Sequence, residues 1–274
     1  MCSRFLSLAI LLVLAFASRA VADGARELRV CADPNNLPFS NDREEGFENH
    51  IVRLVAEELG AKPVYTWRAQ RRGFLRETLN AAVCDLVPGL PSKLEGVRTT
   101  RPYYRSAYVF VSRADGPFAR SLDDPVLREA RLGVQLVGDD GANSPPAHAL
   151  ARRGITLNVR GYTVYGDYRE PNPPAAIVSA VASGEIDIGL AWGPLAGYFG
   201  AWETPPLRTS VIEPLLDGPQ PMAWDISMAV RKGDETLGEA VDKALARRTA
   251  EIDAILAEYH VPRLDTPPTE DSSR

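Results

Sequence analysis

A chain of 274 residues, 45% apolar and 24% charged, is long enough for two core-forming units and has the composition of a globular protein rather than a disordered one. Its net charge of −5, without any basic block, excludes the electrostatic footprint of a nucleic-acid binder or of a protein drawn to an anionic membrane.

Residues 1–22 stand apart. Arg4 precedes the apolar run "FLSLAILLVLAFA", and Ala20-Val21-Ala22 supplies small residues at a cleavage spacing. The run is short for a bilayer span and no longer one follows, so a cleavable export signal is expected and the mature chain is not membrane-embedded. Cys2 lies before the run, where a lipoprotein cysteine would have to follow it. Cleavage takes Arg4 and Arg19 and no acid, so −5 becomes −7.

"ELRVCAD" alternates like a strand and ends in the loop "DPNNLPFSND". "GFENHIVRLVAEELG" puts Phe47, Ile51, Leu54, Val55 and Leu59 on one helical face and stops at Gly60. "KPVYTW" reads as a strand, "GFLRETLNAAV" as a helix and "CDLVPGL" as a third strand, the alternation of a parallel sheet covered by helices. Beyond "RPYYRSAYVFVSR" the architecture repeats without sequence repetition. "SLDDPVLREA" is a short helix, "RLGVQLV" a strand, "PPAHALARRG" a helix and "ITLNVRGY" a strand; "NPPAAIVSAVASG" is a helix opened by prolines, followed by the strand "EIDIGLAW". A final strand "WDISMAVRK" and one long helix over 235–260, with Leu237, Val241, Leu245, Ile252, Ile255 and Tyr259 inward, found no third unit and return to the first.

The expected fold is therefore α/β and two-lobed, each lobe a mixed, mostly parallel sheet flanked by helices. Lobe 1 comprises 23–114 and 222–262, lobe 2 comprises 115–221, and 263–274 is a polar tail. Two crossings, near 112–117 and 217–224, make a hinged cleft that collects strand ends. In the oxidising compartment implied by export, Cys31 and Cys84, both on strands, are expected to form one disulfide; a metal or redox pair would need further soft ligands or a CxxC spacing.

This pattern is similar to type II periplasmic solute-binding proteins over residues 27–260. Still more specifically, "LRVCADPNNLPFSN", "QRRGFLRETLNAAVCD", "TTRPYYRSAYVFVSRAD", "VYGDY" and "NPPAAIVSAVASGEIDIGLAWGPLAGYFG" resemble the quinoprotein-dehydrogenase-associated family of the MxaJ/XoxJ type. The resemblance implies a periplasmic, non-enzymatic accessory protein of methanol oxidation. Its partner would be a dehydrogenase dependent on pyrroloquinoline quinone (PQQ), with that enzyme's cytochrome c as a second candidate. A monomer is expected, with no tightly bound cofactor; contact with PQQ or a lanthanide ion is left open. The competing reading is a receptor that delivers a small solute to an ABC transporter.

The resemblance also says what is missing. Amino-acid binders of this fold carry, five residues after the first Asp of the strand matching "EIDIGLAW", a second Asp that holds the ligand ammonium. Here that place is Trp192, which stacks but cannot neutralise charge. The arginine that grips a ligand carboxylate falls at Lys93, which lacks the two-pronged fork. A Gly-Thr/Ser loop has become "LVGDDGANSPP", whose Asp139 and Asp140 supply too few oxygens for a calcium site.

The cleft candidates are Asn36 and Phe39 in the first loop, Arg71 and Arg72 after the second strand, Lys93, Tyr104, Tyr165 and Tyr168 of "VYGDY", and Trp192. For Asn36 the competing reading is turn chemistry, for the arginine pair surface ion pairing, and for Trp192 a core plug; Trp224 is read as hinge-side packing. His50, His148 and His260 lie in separate segments and no Gly-x-Ser-x-Gly is present, so no catalytic residue is assigned.

Overall fold

The computed structural model describes residues 26–136, 143–164, 170–204 and 207–264. The export segment, Asp139 and Asp140, and Tyr165 and Tyr168 lie outside the described residues. The strands are β1 (Arg26–Ala32), β2 (Ala61–Trp67), β3 (Val87–Pro91), β4 (Tyr104–Arg113), β5 (Leu132–Leu136), β6 (Val159–Thr163), β7 (Ile188–Trp192), β8 (Leu207–Val211) and β9 (Ala223–Arg231). The helices are α1 (Phe47–Glu58), α2 (Phe74–Glu77), α3 (Pro145–Arg152), α4 (Ala176–Ala182), α5 (Gly193–Gly200), α6 (Glu235–Arg247) and α7 (Thr249–Glu258).

The molecule is two-lobed, and β4 is the spine that joins the lobes. Its first half, Tyr104–Ala107, pairs antiparallel with β9 of lobe 1, and from Tyr108 onward it pairs with β7 of lobe 2. The exchange of partners thus falls between Ala107 and Tyr108, earlier than 112–117, because an unbroken strand of ten residues serves both sheets. In lobe 1, β2 runs parallel to β1, Val30 bridges to Leu86 just ahead of β3, and β3 pairs with β9. In lobe 2, β7 runs parallel to β5 and β5 parallel to β6, while β8 covers the far half of β4.

Each lobe has its own core. Phe47, Ile51 and Val55 of α1 pack with Leu28, Val30, Met228 and Val241, and Phe110, Leu132, Leu150 and Ile188 fill lobe 2. Trp192 and Trp224 are packed against both cores.

Two helices differ from the sequence expectation. Over 73–83 only one turn, α2, is helical. The Thr78 hydroxyl donates to the Phe74 carbonyl at 2.6 Å, and the chain then turns so that Phe74, Leu79 and Cys84 join one buried cluster with Cys31. The long C-terminal helix is broken at Arg248, whose Nε donates to Glu58 Oε1 at 2.8 Å; the break lets α6 and α7 both pack on α1. Cys31 and Cys84 form the expected disulfide. Since it closes 53 residues, reduction or the double substitution to alanine is expected to cost about 4 kcal/mol, read as a shift of the denaturation midpoint with and without reductant.

Candidate functional site

Between the lobes lies a cavity of about 330 Å³, lined from lobe 1 by Asn36, Phe39, Glu48, Gln70, Gly89, Tyr104 and Trp224 and from lobe 2 by Gln135, Pro145, Val164, Trp192 and Leu195, with Tyr108 of β4 at the junction. Local chemistry explains how these side chains are held.

The loop after β1 is pinned onto the start of α1. The first free N–H groups of that helix, those of Phe47 and Glu48, donate to the carbonyls of Pro38 and Phe39 at 2.8 and 3.0 Å. The contact is so close that a Cβ at Gly46 would lie 2.0 Å from the Phe39 carbonyl oxygen. Asp33 fixes the other end, its Oδ1 accepting from the Asn35 N–H at 2.9 Å and its Oδ2 from the Gln70 N–H at 2.7 Å. Asn36 and Phe39 are thereby presented to the cavity. Asn35 Nδ2 donates to the Glu170 carbonyl at 3.0 Å, a bond across the cleft mouth.

At the tip of β7 the Trp192 N–H donates to Gln135 Oε1 at 2.8 Å. Trp192, Tyr108 and Trp224 meet edge to face with centroids 5.3–5.9 Å apart, an arrangement favoured by the ring quadrupoles. Trp192 is therefore at once a plug between two cores and a wall of the cleft. The helix that follows it has a glycine face: a Cβ at Gly193 would come within 2.6 Å of the Ala107 carbonyl, and one at Gly197 within 2.0 Å of the His260 carbonyl. Tyr198 stacks on Tyr259 at 5.5 Å beside this contact. "WGPLAGYFG" thus brings lobe 2 against the C-terminal segment of lobe 1, which explains a strand tip built from Trp, Gly and Pro.

Among the described lining residues one carries a carboxyl group, Glu48, which is 3% exposed. Gly89, with φ +73°, leaves it room, since a Cβ there would lie 2.4 Å from Glu48 Oε1. The Tyr103 hydroxyl accepts from the Gly89 N–H at 3.1 Å and donates to Glu48 Oε1 at 3.2 Å. Burial pushes the Glu48 carboxyl up to about 8, against a smaller opposing effect of the Tyr103 hydrogen bond, so it is mostly neutral at pH 7. Burial also raises Tyr104 well above the ordinary phenol range.

Of the residues picked from sequence, Asn36, Phe39, Tyr104 and Trp192 line the cavity. Arg71 and Arg72 are exposed and outside its lining, because the turn after β2 carries them to the surface and presents Gln70 instead. Lys93 is exposed too, in the turn after β3 with φ +62° and its N–H donating to Thr99 Oγ1 at 3.1 Å. Tyr165 and Tyr168 fall outside the described residues, adjoining Val164, which does line the cleft. Glu48, Tyr108 and Gln135 were not singled out. For Glu48 the signal exists: it shares the helical face of Val52 and Val55 at i, i+4 and i+7, and all three are buried. Among the described residues no group of three His, Cys, Asp or Glu side chains is placed to hold a metal ion.

A cleft between two lobes joined through β4 and β9 matches, over residues 28–262, the model of the bacterial extracellular solute-binding proteins, family 3. The chain belongs to that family. It is 34% identical to the protein MoxJ of Methylorubrum extorquens over 265 residues, 90% of this chain and 85% of MoxJ. The crystal structure of MxaJ from Methlophaga aminisulfidivorans superposes with a TM-score of 0.75 at 26% identity, covering 86% of this chain and all of that one. That of the periplasmic binding protein XoxJ from Methylobacterium extorquens does so at 0.71 and 33% identity, covering 87% and 100%. Within family 3 the chain is thus a MoxJ-, MxaJ- and XoxJ-like solute-binding protein.

Proposed function

We propose that this is an exported, periplasmic, non-enzymatic accessory protein of a PQQ-dependent methanol dehydrogenase system, lanthanide-dependent forms included. In this reading it binds the dehydrogenase, or a component that enzyme needs, in the interlobe cleft and so assists maturation or activation. What supports it is an interlobe cavity lined by Trp192, the residue at which the resemblance places the ammonium-binding Asp of amino-acid binders, with Lys93, its counterpart for the carboxylate-binding Arg, outside the lining. The likeness to MoxJ, MxaJ and XoxJ supports the methanol-oxidation setting. Opening the cleft has to break the Asn35 bond to Glu170, a small cost for capture and release about β4 and β9.

The fold family itself favours a second reading, a receptor for an ABC transporter. Gel filtration of the mature protein mixed with the dehydrogenase, metal-loaded and empty, separates the two. A complex with one of these states is expected; free migration in both, with the dehydrogenase's stability unchanged, would count against the accessory role.

A further inference from the structure

Among the described residues that line the cleft, amide and hydroxyl groups are present but no side chain carries a positive charge. Asn36 is 3% exposed, and its Oδ1, an acceptor, is the buried atom of the described lining that has no hydrogen-bond partner. The titratable groups of the described lining are a carboxyl, Glu48, and two phenols, Tyr104 and Tyr108. Around these stand the rings of Tyr108, Trp192 and Trp224, whose faces carry negative potential. A zwitterionic amino acid would bring a carboxylate to a described lining that offers it no counter-charge, and a polycarboxylate such as PQQ would meet that lining with the wrong sign. An apolar guest would leave Asn36 Oδ1 unanswered.

We propose that the cleft binds an organic cation lacking a carboxylate, an ammonium or guanidinium group whose N–H donors meet Asn36 Oδ1 and the Glu48 carboxyl while the aromatic rings face its charge. An ammonium has three donors and no acceptor, which suits this lining, and a volume of about 330 Å³ admits a small organic cation or one long basic side chain. The source is either a free amine or a Lys or Arg side chain offered by a protein partner. The inference rests on the cleft being the working site, as in the proposed function, but not on the dehydrogenase being the partner. Among the described residues the titratable groups that face Glu48 are Tyr103, which is hydrogen-bonded to it, and Tyr65 and Tyr104. A bound cation therefore ionises Glu48 and releases its proton, and affinity tightens by up to about tenfold per pH unit as pH rises toward 8.

The test is calorimetric titration of the mature chain with butylammonium chloride, tetramethylammonium chloride, and short neutral peptides carrying a single Lys or Arg, beside the same peptide with norleucine. Saturable binding of a cationic probe with proton release is expected, and none of the norleucine peptide. Glu48→Gln should weaken it at least tenfold. Asn36→Leu, which removes an acceptor no fold contact uses, should weaken butylammonium several-fold and leave tetramethylammonium, which has no N–H, unchanged. Tighter binding of the free amine identifies a small-molecule source, and tighter binding of the peptide a protein side chain. No heat from any cationic probe, or binding indifferent to both substitutions, overturns the proposal. Failure here with a dehydrogenase complex that survives Glu48→Gln leaves the accessory role standing; amine binding without any complex does the reverse.

Discussion

Replacing Glu48 with glutamine is expected to remove most of the pH dependence of stability between about pH 5 and pH 8. The folded protein holds a proton on this buried carboxyl up to about pH 8, whereas the unfolded chain releases it near the ordinary value of 4.5. Between those limits the native state binds more protons, so the parent protein loses stability as pH rises through the window and levels off above it. The loss is on the order of 3–5 kcal/mol from the size of the shift. Glutamine keeps the shape and can still accept from the Tyr103 hydroxyl, but has no charge to desolvate. Urea denaturation at pH 5.5 and 8.5 checks this: a wide gap is expected for the parent and a narrow one for Glu48→Gln, with the variant the more stable at pH 8.5. Equal gaps would mean that the carboxyl is solvated.

Gly197→Ala is expected to be the most damaging single methyl addition on α5. The new Cβ would sit 2.0 Å from the His260 carbonyl oxygen, and since both partners are backbone, neither yields by a rotamer change. The helix and the 259–262 segment must separate, at a cost of about 3 kcal/mol, the upper part of the usual range for overpacking. The Tyr198–Tyr259 stack is lost with it. Gly200→Ala in the same helix is the control: the nearest atoms to its Cβ are those of Leu207 at 4.0 Å, so a neutral change or a gain of about 0.5 kcal/mol from helix propensity is expected. Thermal denaturation of both variants reads the difference, and similar midpoints would show that α5 does not bear on the C-terminal segment.

The order of elements was legible because each has a clean period: the α1 face at Phe47, Ile51 and Val55, and the alternation of β1, are set by burial alone. The Cys31–Cys84 pair was legible from the compartment, although only Cys31 lies on a strand and Cys84 precedes β3, which begins at Val87. What escaped was set by contacts far apart in sequence. "GFLRETLNAAV" has a helical pattern, yet only α2 is helical, because Leu79 and Cys84 are drawn into one cluster with Cys31. The break at Arg248 depends on Glu58, nearly two hundred residues earlier in the chain. Trp192 stood out as a strand-tip aromatic, but that it shares a cluster with Tyr108 and Trp224 follows from β4 serving both sheets. Arg71 and Arg72 were drawn toward the cleft by the rule that strand ends face it, and the turn after β2 overrides that rule by presenting Gln70.

The measurement that bears most directly on the central claim is a calorimetric titration of the mature protein with each of the common α-amino acids and, in the same buffer, with the methanol dehydrogenase stripped of its metal and loaded with it. No saturable heat is expected from any amino acid, because the described lining offers no paired sites for ammonium and carboxylate, and saturable heat is expected from the dehydrogenase. Tight binding of one amino acid and silence from the enzyme would contradict that claim, and would make the protein a transport receptor whose clamp is built from residues other than Trp192 and Lys93.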